Sequence, residues 1–170
     1  GAIALSRPAG AGQVPSGARI AVIVDASSSM AAVDSDGSRI ERARAIVRSL
    51  ARDLPEGGAM MIVAAAGEPE VLSAPTSDRV RLESALDRLR VRGPGADLEA
   101  AVALAAERLR GAPIGSRIVV LTDAAYAGNV PLAASVPVEV SRLGEATLNY
   151  AIVALDVRPS PALDAPDRAE

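Results

Sequence analysis

Three oxygen-bearing side chains, Asp25, Ser27 and Ser29, stand at every second position directly after an apolar run, with the small Ala26 and Ser28 between them. The run itself, Ile20-Ala21-Val22-Ile23-Val24, is mostly β-branched and does not alternate, the pattern of a strand buried on both faces of a parallel sheet. In open α/β sheets ligands bind outside the carboxyl ends of the strands. A carboxylate and two hydroxyls at such an end make a hard-cation site. Magnesium suits it, because that ion takes oxygen ligands, keeps several waters and is commonly held by one or two carboxylates. A second strand end of this kind lies about a hundred residues on, where Arg117-Ile-Val-Val-Leu-Thr122 runs into Asp123. Taken singly, each serine is equally an ordinary turn or capping residue. Two carboxylates on separate strand ends favour the joint reading.

At these residues the chain resembles the von Willebrand factor A (vWA) domains. Their metal-ion-dependent adhesion site opens with Asp-x-Ser-x-Ser, here Asp25-Ala26-Ser27-Ser28-Ser29. The five-residue motif is only moderately specific; its place after an apolar strand, with Asp123 ending another, makes it strong. The likeness runs from about Arg19 to about Arg142. It implies that three loops converge: the first brings a carboxylate and two serines, the second a threonine, the third an aspartate. Asp25, Ser27, Ser29 and Asp123 match that pattern. The second loop, Gly93-Pro-Gly-Ala-Asp-Leu98, departs from it, with Ala96 where the family places threonine. A methyl group cannot ligate, so that position falls to water or to Asp97. Asp97 is also placed to cap the helix that follows, its carboxylate accepting from free N–H groups of the first turn. The candidate ligands of a Mg2+ ion are thus Asp25, Ser27, Ser29, Asp123 and Asp97. The competing reading is a vestigial site that keeps its shape by hydrogen bonds alone.

The absences in the composition remove most enzyme mechanisms. Among 170 residues there is no Cys, no His and no Lys. Thiolate and imidazole metal ligands, a Ser-His-Asp triad, a P-loop lysine and a Schiff base are all excluded. The formal net charge of −3 leaves no electrostatic footprint for nucleic acid. With two Tyr and neither Phe nor Trp, the core must be built from aliphatic residues, Met60 and Met61 among them.

The elements that must position the site alternate. Ser38-Arg-Ile-Glu41 matches a capping box and opens a helix whose apolar stripe is Ile40, Ala43, Val47, Leu50 and Leu54. Arg39, Arg42, Arg44, Arg48 and Arg52 fall mostly off that stripe, as a solvated face. Asp34-Ser-Asp36-Gly37 before it reads as a solvated turn, since it lacks the remaining ligands of a calcium loop. Residues 59–65 form a second buried strand and Glu70-Val-Leu-Ser-Ala74 a short edge strand. One helix follows Asp78 with Leu82, Ala85, Leu86 and Leu89 inward. Another starts near Asp97 with Leu98, Ala101, Val102, Ala105 and Leu109 inward. Residues 136–140 and 149–157 read as further strands, and Tyr126 falls on the rim just past Asp123. The fold expected is α/β: a doubly wound, mostly parallel central sheet with one antiparallel edge strand and helices on both faces.

Residues 1–18 read as a linker and 19–145 as the vWA domain. Residues 146–170 read as a C-terminal strand and polar tail. Gly1-Ala-Ile-Ala-Leu-Ser-Arg-Pro8 resembles the end of a membrane helix in bacterial BatA-like vWA proteins, against the plain alternative of an ordinary terminus. In those relatives the segment like Asn149-Tyr-Ala-Ile152 leads toward a following β domain.

The function expected is a non-enzymatic protein-interaction module that takes an acidic residue of a partner protein through a divalent cation. The resemblance further implies a bacterial, membrane-associated protein working with a MoxR-class AAA+ ATPase system. A metal-independent scaffold with a vestigial site is the alternative. A haloacid-dehalogenase-like phosphatase also places an Asp at the end of its first strand. That chemistry needs a second acidic residue where this chain has Ser27, and a lysine that it lacks.

Overall fold

The structure is a computed structural model that describes residues 15–124, 136–144 and 150–153. In chain order its strands and helices are β1 (Arg19–Asp25), β2 (Val33–Asp34), β3 (Gly37–Ser38), α1 (Arg39–Arg52), β4 (Ala59–Ala65), β5 (Pro69–Thr76), α2 (Arg79–Arg88), α3 (Leu98–Arg108), β6 (Arg117–Thr122), β7 (Val138–Arg142) and β8 (Tyr150–Val153). Six strands form one sheet in the order β5-β4-β1-β6-β7-β8. β4, β1, β6 and β7 run parallel, with α1 between β1 and β4 and α2 and α3 between β4 and β6, as parallel crossovers need. β5 is the expected antiparallel edge, longer than the sequence suggests.

At the opposite edge β8 lies antiparallel on β7. The residues between them, 143–149, are too few for the crossover of a dozen or more that parallel pairing needs. The segment expected to lead toward a following domain therefore extends this sheet. The strand expected at 136–140 begins two residues later, at Val138.

The unalternating apolar run of β1 has its explanation in the two layers. Ile20, Val22 and Val24 pack with Ile40, Ala43 and Val47 of α1 and with Leu82, Ala85 and Leu86 of α2. Ala21 and Ile23 face the other way, against Leu98, Ala101, Val102 and Ala105 of α3. Both faces of the strand are dry, so period-2 polarity has no role. The absence of large aromatics is met by fully buried methionines, Met30, Met60 and Met61.

The helices end slightly before the apolar periodicity does. Leu54 precedes Pro55, which disfavours helical backbone at that residue, and α1 stops at Arg52. Leu89 and Leu109 likewise sit just past α2 and α3 yet remain buried. Among the described residues no helix is long and apolar enough to cross a membrane. Residues 1–14, Tyr126 and the polar tail lie outside the described residues.

The chain runs from β1 through α1 to β4 on one side, then returns through α2 and α3 to β6 on the other. The reversal makes the gap between β1 and β6 the topological switch point, where open α/β sheets leave a crevice.

Candidate functional site

β1 and β6 pair in register with Val24 opposite Leu121, which brings Asp25 and Thr122 to the same level at the carboxyl edge. Beyond Asp25 the chain turns at once. Ala26 N–H donates to Ala65 O at 2.7 Å, and a 3-10 turn follows over Ser28–Ala31, with Met30 buried beneath it. Ser27 occupies the N-cap position of that turn but its hydroxyl makes no capping bond. The bland reading of Ser27 as a capping serine therefore fails, and its hydroxyl turns elsewhere.

The polar groups form a continuous string. Asp25 is buried; its Oδ1 accepts from Ser27 N–H at 2.9 Å and its Oδ2 from the Thr122 hydroxyl at 2.6 Å. Ser29 donates its hydroxyl hydrogen to Asp123 Oδ1 at 2.9 Å. A hydroxyl has one hydrogen, so in the 3.1 Å contact between the two serine oxygens Ser27 is the donor. Asp123 Oδ2 accepts from Arg39 Nη1 at 2.5 Å. Arg39 also donates from Nε to Asp34 Oδ2 at 3.2 Å, and Arg42 Nη2 donates to the same oxygen at 2.6 Å.

The second loop is held beside the first by backbone bonds: Arg92 N–H to Ala26 O at 2.6 Å, and Ser28 N–H to Gly93 O at 3.0 Å. Gly93 makes the approach with a left-handed backbone, φ +65°, that other residues rarely adopt. Ala96 is half-buried and packs against the α3 side of the core. Asp97 N–H reaches Ala66 O at 2.8 Å, while its carboxylate accepts from Ala100 N–H at 2.9 Å as the N-cap of α3. The structure thus joins Asp25, Ser27, Ser29 and Asp123 in one hydrogen-bonded string and gives Asp97 to its helix. Among the described residues no three acidic side chains gather at a spacing that would hold a metal, so any cation here depends on the hydroxyls.

The turn expected at Asp34-Ser-Asp36-Gly37 is present: it closes a small antiparallel ribbon, β2 with β3, with Gly37 at φ +100°. Its first residue is not simply solvated, because the Asp34 carboxylate is held by arginines. One reading from sequence is corrected: the arginines of α1 are not all a solvated face. Arg39 and Arg42 converge on Asp34, and the side chain of Arg44 reaches the carbonyl of Leu89. The Arg39 guanidinium, hydrogen-bonded to Asp34, holds that carboxyl below its usual 3.8. The same bond, followed by that to Asp123, raises Arg39 above its ordinary value. Thr122 and Arg39 are the site residues that sequence reasoning missed. Connectivity carried a signal for Arg39: a helix following a strand starts at the strand's carboxyl end, so its first-turn side chains stand at the rim.

Residues 20–125 match the von Willebrand factor type A domain family. This chain is a vWA domain. A UPF0353 protein of Mycobacterium leprae is 32% identical over 130 residues, covering 71% of this chain and 39% of that relative, so the chain spans well under half of its length. BatB from Bacteroides thetaiotaomicron has a TM-score of 0.63 at 22% identity, over 79% of this chain and 75% of the other. An aerotolerance-related membrane protein from Bacteroides fragilis has a TM-score of 0.62 at 23% identity, over 82% and 83%. Both share the fold of this bacterial-type vWA domain.

Proposed function

We propose that this vWA domain is a non-enzymatic protein-interaction module whose contact surface is the carboxyl rim around Ser27, Ser29 and Asp123. It takes an Asp or Glu of a partner protein through a divalent cation, magnesium. What carries the reading is the spacing of three successive oxygens, Ser27 Oγ, Ser29 Oγ and Asp123 Oδ1, at 3.1 and 2.9 Å. Adjacent ligands in an octahedron with bonds of ~2.1 Å stand about 3 Å apart. Both spacings are compatible with neighbouring ligand positions around one such ion. Ser27, Ser29 and Asp123 would hold it, with Asp25 behind them fixing the Ser27 backbone, and water at the position Ala96 cannot supply. An ion held by neutral hydroxyls and few carboxylates stays electrophilic and accepts a further carboxylate.

The test is binding of a short Asp/Glu-containing peptide, with Mg2+ and with EDTA, to the native chain and to Ser29→Ala. Loss in EDTA and in the variant is expected. Binding that survives both leaves the metal-independent scaffold, a reading favoured by Ala96. The likeness to an aerotolerance-related membrane protein supports a bacterial, membrane-associated parent protein. In that parent residues 1–18 would be the link to a tether, 19–145 the binding unit and 146–170 the way out of it. A MoxR-class AAA+ ATPase system is the partner proposed.

A further inference from the structure

We infer that Arg39 is the resident counter-charge of the rim, and that a divalent cation reaches Asp123 only as the Arg39 guanidinium turns from Asp123 to Asp34. The inference rests on the cation reading above and adds the residue that controls it. Asp123 has 7% of its side chain exposed, and its Oδ2 is held by Arg39 Nη1 at 2.5 Å. A guanidinium and a metal ion on opposite oxygens of one carboxylate repel each other at a separation of a few ångströms. Occupation of Asp123 by one weakens occupation by the other.

The exchange needs a second seat for the guanidinium, and the ribbon provides it. Arg39 Nε already bonds Asp34 Oδ2 at 3.2 Å, and among the described residues Asp34 Oδ1 accepts no hydrogen bond. The guanidinium can therefore pivot about its Nε bond and complete a two-pronged contact with Asp34, the geometry it prefers with carboxylates. The backbone need not move: Arg39 N–H is tied to Ala32 O at 3.1 Å and Ser38 caps α1 beneath it. The two seats differ only in a side-chain rotation. Asp34 is thus the acceptor that makes release of Asp123 possible, and Arg42, on the same Asp34 oxygen at 2.6 Å, holds that acceptor in place.

The experiment is a calorimetric Mg2+ titration of the native chain, Arg39→Gln and Arg42→Gln at low ionic strength. The two variants remove equal charge from the first turn of α1 beside the same Asp34, but only Arg39 touches Asp123. Arg39→Gln should bind Mg2+ at least tenfold more tightly than the native chain, and Arg42→Gln no more than two- to threefold. Equal gains in both variants reduce the effect to general electrostatics and overturn the exchange. Mg2+ binding by the native chain with no gain in Arg39→Gln overturns it alone, leaving the cation reading intact. No binding of Mg2+ by any of the three removes both. A measurement free of variants is the NMR signal of the Arg39 Nη–H groups in the native chain. It should shift on saturation with Mg2+ as Nη1 leaves Asp123; a signal that stays in place at saturation overturns the exchange.

Discussion

Thr122 donates its hydroxyl hydrogen to Asp25 Oδ2 at 2.6 Å across the β1–β6 pair, with the two residues 0% and 2% exposed. This bond ties the carboxylate of one strand end to the neighbouring strand and fixes which oxygen of Asp25 faces the sheet. Thr122→Val keeps the shape and removes both this donor and the acceptor of the weaker Ala124 N–H bond at 3.1 Å. A buried hydrogen bond to a charged group is worth about 1.5–3 kcal/mol, and the variant should lose that much stability in urea unfolding. A loss under 0.5 kcal/mol would mean that water replaces the hydroxyl at this depth.

The Arg39 contact predicts a pH dependence through Asp34. Its carboxyl titrates below 3.8 because Arg39, and then Arg42, stabilise the ionised form. The folded chain therefore holds fewer protons than the unfolded chain, and stability rises with pH across that window. The contribution is complete above about pH 5 and disappears as pH falls through the depressed value. Asp34→Asn should be less stable than the native chain at pH 5 and converge on it near pH 2, as read by urea midpoints. Equal separation of the two curves at both pH values would show that Asp34 makes no charge-dependent contribution.

Asp97 separates the capping role from ligation. Its carboxylate accepts from Ala100 N–H at 2.9 Å at the start of α3. Asp97→Ala should cost about 1 kcal/mol, the typical worth of an N-cap, with Mg2+ affinity unchanged in calorimetry. A variant of native stability that has lost Mg2+ affinity would restore Asp97 to the ligand set.

Much of this fold was legible because its signals are local. A β-branched run without alternation means a strand covered on both sides, and β1 is packed by α1 and α2 on one face and by α3 on the other. Ser38 and Asp97 cap their helices as their side-chain chemistry dictates. The string from Asp25 to Asp123 followed from two strand ends in a parallel sheet. Arg39 was hidden because helical periodicity sorts residues by burial, and a guanidinium that is 22% exposed on the polar face is sorted as solvated. What decides its role is the position of α1's first turn over the neighbouring strand end, a tertiary relation. The ribbon that carries Asp34 was hidden for a related reason. Two strands of two residues each have no period to detect.

Position 96 offers the sharpest test of the rim. Ala96 lies in the loop drawn against the first by the Ser28–Gly93 and Arg92–Ala26 backbone bonds, and its half-buried methyl packs on the α3 side of the core. Ala96→Thr adds a hydroxyl there with a modest increase in volume. If the second loop shares the ion with Ser27, Ser29 and Asp123, one further oxygen replaces a water. Mg2+ affinity should then rise about tenfold, equivalent to roughly 1.4 kcal/mol. Calorimetry on the native chain and Ala96→Thr reads the difference. A threonine that adds nothing would place the ion, where it binds, on the β1 and β6 strand ends alone.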